Sequence, residues 1–474
     1  MKKVSSIIAA TTLMISAACC TSSAATQAKA KKAAMKEWTF AVFLNADNNL
    51  DRFGVEDQEE MSRVGSNENV NIVTLIDREK VPAQINYIEK GNIKKLKDMG
   101  ELDMGDYKEL VKFAKFVKEN YPAKHYMLGI WNHGSGWKAK TDQNVVRGVS
   151  YDDSSNNHIT TNELTTATKL CAEAFGQKID VLNMDCCLMS MAEVAYAIKD
   201  NCNYFVGSEE TEAGKGTPYD DVLNGLKAGT TPKELANHWV NAYAKSYQGG
   251  SQGTDNSTQS ALDMSKIDGL MDSLNGFAKT VMSGDYVNKV RLAAGKTVRF
   301  AYPENIDLLH FIKNFKALTT GDSAVATACD KVEAAVKAAV INNKTTAKKV
   351  SYNPDYAPYK EATGIAIYLP MRLNVEDKYF ELGFSKANMW DDMLLTLKNQ
   401  YYVKTVVEGA CKGDFKELKN AISEAKKNPK SSSARMLLRD LNYTAYTEKK
   451  IPAKHKDEFD DLFKELKSAL QTRW

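Results

Sequence analysis

Short apolar runs alternating with amphipathic stretches set the rhythm of the chain. The runs predict strands over residues 38–45, 70–76, 85–90, 125–132, 147–151, 178–185, 204–208 and 364–369. Apolar positions recurring every three to four residues predict helices over 107–120, 161–175, 191–199, 232–248, 266–282 and 324–341. Strands that alternate with helices in this way build an α/β fold, a mainly parallel central sheet with helices on both faces. Past Arg372 the helical period takes over, clearest at 415–427 and 456–470, so a C-terminal helical region over 372–474 follows the sheet domain of 37–371. No internal repeat or long low-complexity tract interrupts this order.

The first residues follow a different pattern. Lys2 and Lys3 precede an apolar stretch, residues 4–18, too short to span a bilayer and followed by small residues. That is the pattern of a signal peptide, taken here as 1–24, with Ser22-Ser23-Ala24 as a cleavage site. Cys19 and Cys20 close the apolar stretch, so a lipid anchor on one of these cysteines is the second expectation. Either way the protein is exported: periplasmic, held at the cell surface as a lipoprotein, or secreted. Residues 25–36, rich in Ala, Lys and Gln, read as a flexible tether.

Composition narrows the classes. A chain of 474 residues buries a large core without staples, and its net charge of +3 gives no basis for nucleic acid as a partner. Cys171, Cys186, Cys187, Cys202, Cys329 and Cys411 have neither the regular spacing of a disulfide framework nor a CxxC pair for zinc. Cys171, Cys329 and Cys411 read as buried or free thiols in helices.

Two segments carry chemistry, Asn132-His133-Gly134-Ser135-Gly136-Trp137 and Asp185-Cys186-Cys187-Leu188-Met189-Ser190, each at the end of an apolar run. A histidine and a cysteine at the ends of neighbouring parallel strands meet at the carboxyl edge of the sheet, where α/β folds bind ligands. An imidazole there turns a thiol into a nucleophile. His133 lies 54 residues before Cys187, close to the spacing of caspase-type peptidases. Asp185 shares a strand face with Cys187, and a buried carboxylate at that point suits the floor of a pocket for a substrate Arg or Lys. Asp47 and Glu209 are weaker candidates for nearby polar contacts. Trp137 reads as structural, His125, His238 and His310 as members of strand or helix, and His158 and His455 as surface residues.

These motifs resemble the clostripain family, which belongs with caspases, gingipains and legumains. The resemblance extends to residues 43–50 after the first strand, Gly207-Ser208-Glu209-Glu210 and residues 364–370, and so spans roughly 38–370. One departure is Cys186, where the family usually has a small residue; the motif register selects Cys187 as nucleophile. The resemblance implies a caspase-like αβα sandwich and a cysteine endopeptidase that cuts after Arg or Lys. His133 and Cys187 would be catalytic, the N–H groups of Gly134 and Cys187 the oxyanion hole, and Asp185 the S1 residue. It also implies a zymogen cut between the two segments, with Arg147-Gly148 the expected site and Lys138 and Lys140 the alternatives. The expected partners are protein or peptide substrates with a basic P1 residue. A monomer, two chains after processing, is the expected form. No cofactor is required, although calcium could be held by Asp152-Asp153 or Asp220-Asp221. The rival readings are a non-catalytic surface binding protein with the same fold, and a cysteine-dependent amidase or transpeptidase.

Overall fold

The computed structural model describes residues 35–137, 148–346 and 359–470. The leader with Cys19 and Cys20, most of the tether, and Arg147, Lys138 and Lys140 lie outside these residues. In chain order the first strands are β1 (Lys36–Ala46), β2 (Val70–Arg78), β3 (Val81–Glu89), β4 (Asn92–Gly100) and β5 (Ala123–Trp131). A hairpin of β6 (Val149–Asp152) and β7 (Asn157–Ile159) follows, then β8 (Ile179–Asp185) and β9 (Cys202–Gly207). The small pair β10 (Gln248–Gly250) and β11 (Gly253–Thr254) precedes β12 (Ser257–Asp263), β13 (Asn305–Asp307), β14 (Val340–Thr346) and β15 (Ala366–Tyr368).

Nine of these strands form one sheet in the order β14-β12-β9-β8-β5-β1-β2-β3-β4. The five at its centre, β9, β8, β5, β1 and β2, run parallel, and two antiparallel strands extend each edge. Successive residues of β1 point into opposite layers. Phe40, Val42 and Leu44 join one cluster with Met61, Tyr219 and Trp239, whereas Ala41 and Phe43 join another with Phe113, Phe175 and Phe277. Helices Asp51–Val64, Tyr219–Asn224 and Pro232–Ser246 supply the first layer. Helices Tyr107–Asn120, Thr161–Phe175, Ala192–Ile198 and Ile267–Met282 supply the second. The result is an αβα sandwich, as the alternating pattern predicts. Burial on both faces explains why the central strands read as unbroken apolar runs.

Helix starts follow local rules. Thr160 with Glu163, and Thr231 with Glu234, form capping boxes that satisfy the free N–H groups of the helices they open. At the C-terminus, helix Trp390–Lys412 joins two cores. Trp390, Met393, Leu394 and Leu397 insert into the main core. Val403, Val406 and Ala410 belong to a second cluster with Leu418, Leu437, Phe459 and Leu466 of the last three helices.

The structure departs from expectation in several places. The segment predicted at 364–369 is the short β15, which pairs with β13 and lies outside the large sheet. The one predicted at 147–151 is β6, which forms a two-stranded sheet with β7 outside the large one and a single bridge from Val149 to Gly134. Helix 324–341 stops at Ala339, because Val340 starts β14. Helix Asp51–Val64 and strands β4, β12 and β14 were not predicted.

Candidate active site

β5 and β8 lie side by side with Trp131 opposite Asp185, so the loops that follow them emerge together at the carboxyl edge of the sheet. The Asn132 N–H donates to the Asp185 carbonyl at 3.3 Å. Its side-chain amide donates to the carbonyls of Asn45 (2.6 Å) and Tyr151 (2.9 Å), and its Oδ1 accepts from the Tyr151 N–H at 2.9 Å. One buried asparagine thus ties the ends of β1, β5 and β6 and fixes the start of the histidine loop.

His133 follows Asn132 and is held through Nε2, 2.7 Å from Asn49 Oδ1. Burial lowers its pKa, partly countered by the charge of Asp153. Among the described residues no hydrogen bond joins the imidazole to the Cys187 thiol. Gly134 packs directly on the cysteine turn: a Cβ there would lie 2.4 Å from the Cys187 carbonyl oxygen and 3.1 Å from its nitrogen. Only glycine allows that approach.

Cys186 and Cys187 face opposite ways. The Cys186 thiol is buried in the core and donates to the Ile130 carbonyl at 3.3 Å. Burial pushes it well above the usual thiol range. Cys187 is only partly buried, and its Sγ accepts the Glu212 N–H at 3.3 Å. Burial raises this thiol too, the Glu212 N–H pulls it back, and Glu210 and Asp185 add to the rise. Leu188, next along, has φ +67°. This left-handed turn in a non-glycine residue is held by the Leu188 N–H donating to the Glu210 carbonyl (3.0 Å) and that of Ser190 to the Ser208 carbonyl (2.8 Å).

Asp185 is buried beside the thiol. Its Oδ2 accepts from the Tyr219 hydroxyl at 2.8 Å and the Thr217 N–H at 3.4 Å. Gly216, at φ +60°, lies so close that a Cβ would sit 3.2 Å from Asp185 Oδ1. Three further carboxyls gather here. Glu212 lies against Asp185, and burial with that neighbouring charge pushes its carboxyl well above the ordinary range. Asp57 is raised by burial and by Asp185, and accepts from the Trp131 indole N–H at 2.7 Å. Burial and Asp220 push Glu60 up to about 7. Sequence reading missed Glu212, Glu60 and Asp57. Only Glu212 had a signal, its position two residues past the Glu209-Glu210 pair. Asn49 lies in the 43–50 segment after β1, where the sequence pattern assigns it no role.

Of the other expected residues, Gly148 is buried beside the histidine loop. Its carbonyl accepts the Ser135 N–H at 3.2 Å, and its own N–H donates to the Tyr151 hydroxyl at 3.2 Å. Its φ of +146° and the Ile159 carbonyl 1.8 Å from a Cβ position leave room for glycine alone. Asp47 Oδ2 accepts the Ser154 N–H (3.2 Å), and Glu209 Oε2 that of Gly364 (2.8 Å). Trp137 is buried edge-on against Tyr368 and Tyr379. His125, His238 and His310 occupy strand and helices as expected. His158 does not: it is buried and stacks on Tyr151 at 5.3 Å, because β7 folds back over β6. His455 is half-buried over Phe415 rather than on the surface.

Two of the candidate calcium ligands are already engaged. Asp152 spends its oxygens on the N–H groups of Met104 (2.9 Å) and Ser155 (2.8 Å), and Asp220 pairs with Arg63 at 2.8 Å. Among the described residues no three His, Cys, Asp or Glu side chains converge on an ion site.

Residues 42–399 match the sequence model of the clostripain family. The clostripain of Hathewaya histolytica is 29% identical over 235 residues, 43% of this chain and 44% of the relative, so the chain spans less than half that relative's length. Among solved structures, a secreted C11 cysteine protease from Bacteroides thetaiotaomicron, in complex with an irreversible peptide inhibitor, gives a TM-score of 0.59 at 21% identity. The alignment covers 75% of this chain and 99% of that one. An inactive zymogen C11 protease from Parabacteroides distasonis gives 0.57 at 20% identity, covering 74% and 98%. At such identities the structural likeness speaks for the fold.

Proposed function

Because the chain belongs to the clostripain family, a family of cysteine peptidases, we propose that it is an exported endopeptidase hydrolysing peptide bonds after Arg or Lys. His133 takes the thiol proton, and the Cys187 thiolate attacks the scissile carbonyl carbon. The N–H groups of Gly134 and Cys187 hold the oxyanion. The imidazolium then gives its proton to the leaving amine, and water hydrolyses the thioester.

The observation that carries this reading is the cluster of buried carboxyls beside the thiol. Asp185, Glu212 and Asp57 make no ion pair among the described residues, while Glu60 shares Arg63 with Asp220. Gathered carboxyls without a counter-charge are costly to bury, and a guanidinium or ammonium from the substrate offsets that cost. Glu212 joins Asp185 as a specificity residue, since the same loop gives an N–H to the thiol and a carboxyl to the cluster. Self-cleavage at Arg147-Gly148 and a lipid anchor at Cys19 or Cys20 belong to the same proposal. Mass spectrometry of the protein recovered from cells reads both directly.

Fluorogenic peptides ending in Arg, Lys, Asp or Leu provide the test. The Arg and Lys substrates should be cut, and Asp185→Asn should cost them about 2–5 kcal/mol of transition-state binding, the range for truncating one partner of a buried charge pair. The residual rate on Leu should be untouched. A wild-type preference for Asp or Leu would sink the assignment.

A further inference from the structure

Asn49 is the only described side chain hydrogen-bonded to the His133 imidazole, and sequence reading gave it no task. The segment that carries it is braced on both sides. Asn48, nearly fully buried, accepts the Leu50 N–H on Oδ1 at 2.9 Å and donates from Nδ2 to the Tyr151 carbonyl at 2.9 Å. The Asp51 N–H donates to the Asn48 carbonyl at 3.0 Å. Such a side-chain turn fixes the backbone on either side of residue 49. The same Tyr151 carbonyl accepts from Asn132, so Asn49 and His133 are referred to one anchor.

The chemistry of the contact is directional. An amide oxygen only accepts, so the imidazole nitrogen facing it must carry the proton. A neutral imidazole has one N–H, and its other nitrogen then holds the lone pair. We propose that Asn49 is a positioning residue: by accepting the Nε2–H of His133 it fixes the ring and leaves Nδ1 as the atom that takes the Cys187 proton. When the imidazole becomes doubly protonated, the same oxygen holds the Nε2–H of the cation. The inference rests on the His133–Cys187 reading proposed above.

Asn49 is exposed, so its side chain can be removed without opening the core. Asn49→Ala should lower kcat on an Arg substrate on the order of 10- to 100-fold with KM within about twofold, the effect of a misdirected catalytic group. Asn49→Asp keeps an acceptor oxygen in place and should recover most of the turnover. In ¹⁵N-labelled protein, His133 should show a slowly exchanging Nε2 proton that Asn49→Ala loses to solvent and Asn49→Asp retains. Wild-type turnover in Asn49→Ala, a loss confined to KM, or an unchanged His133 Nε2 resonance overturns the proposal. His133→Ala and Cys187→Ala serve as the separate control. If either remains active, the catalytic pair itself is wrong; if both are dead while Asn49→Ala behaves as wild type, only the role of Asn49 falls.

Discussion

Two neighbouring thiols, Cys186 and Cys187, differ because the chain leaves β8 after Asp185 and turns, which puts one side chain in the core and the other beside the Glu212 backbone. The inner one is buried against the Ile130 carbonyl and held protonated; the outer one meets the Glu212 N–H. A thiol held far above its usual range is inert to alkylation and to substrate. Iodoacetamide on the native protein should therefore modify Cys187 before Cys186. Cys187→Ala should abolish turnover and Cys186→Ala should leave most of it. Equal loss from the two substitutions would point to a paired-thiol mechanism instead.

At the scale of elements, the site is made by two loops pressed together, and Gly134 is where they touch. The methyl group of Gly134→Ala would lie 2.4 Å from the Cys187 carbonyl oxygen, far inside contact distance, so the histidine loop has to retreat from Cys187. Turnover should fall on the order of 100-fold, as for a displacement near 1 Å, while thermal stability changes little because the loop lies at the sheet edge. A variant as active as wild type would show that the two backbones need not meet. β5 and β8 were legible because strands covered on both faces are apolar runs, and the chemistry stood out as what followed them. β12 was not, because it buries Ser257, Thr258, Gln259 and Ser260, each hydrogen-bonded, where a pattern reader expects apolar residues. β4 is an exposed edge strand with Lys94, Lys95 and Lys97, polar in the way that guards an open edge. Asp185 could be read from its distance to Cys187. Asp57 and Glu60 could not, since a helix distant in sequence brings them near Asp185.

Across the whole molecule, buried carboxyls shape the response to pH. Burial pushes Asp77, Glu60 and Glu193 up to about 7. Raised folded-state values mean that their contribution is fully present below the unfolded values and is lost as pH rises through about 7. The buried His133 and His310 act oppositely, but only below about pH 6.5, where an unfolded histidine takes up its proton. The melting temperature should therefore fall from pH 6.5 to pH 8. Glu193→Gln, which keeps an acceptor for the Tyr368 N–H and the Tyr379 hydroxyl, should flatten that slope. A melting temperature that climbs over this range would contradict the assignment. The sheet order has one more consequence. β5 and β8 are direct neighbours, and the proposed cut before Gly148 would put them on separate polypeptides. The clamp of Gly148 between Ser135 and Tyr151 holds the join closed in the folded protein, but the two pieces lose each other once unfolded. Uncut Cys187→Ala protein should regain its structure after denaturation at a rate independent of concentration. Processed enzyme should recover only as a second-order reaction, if it recovers before aggregating. The lifetime of the proposed cut form would then be set by how slowly it unfolds.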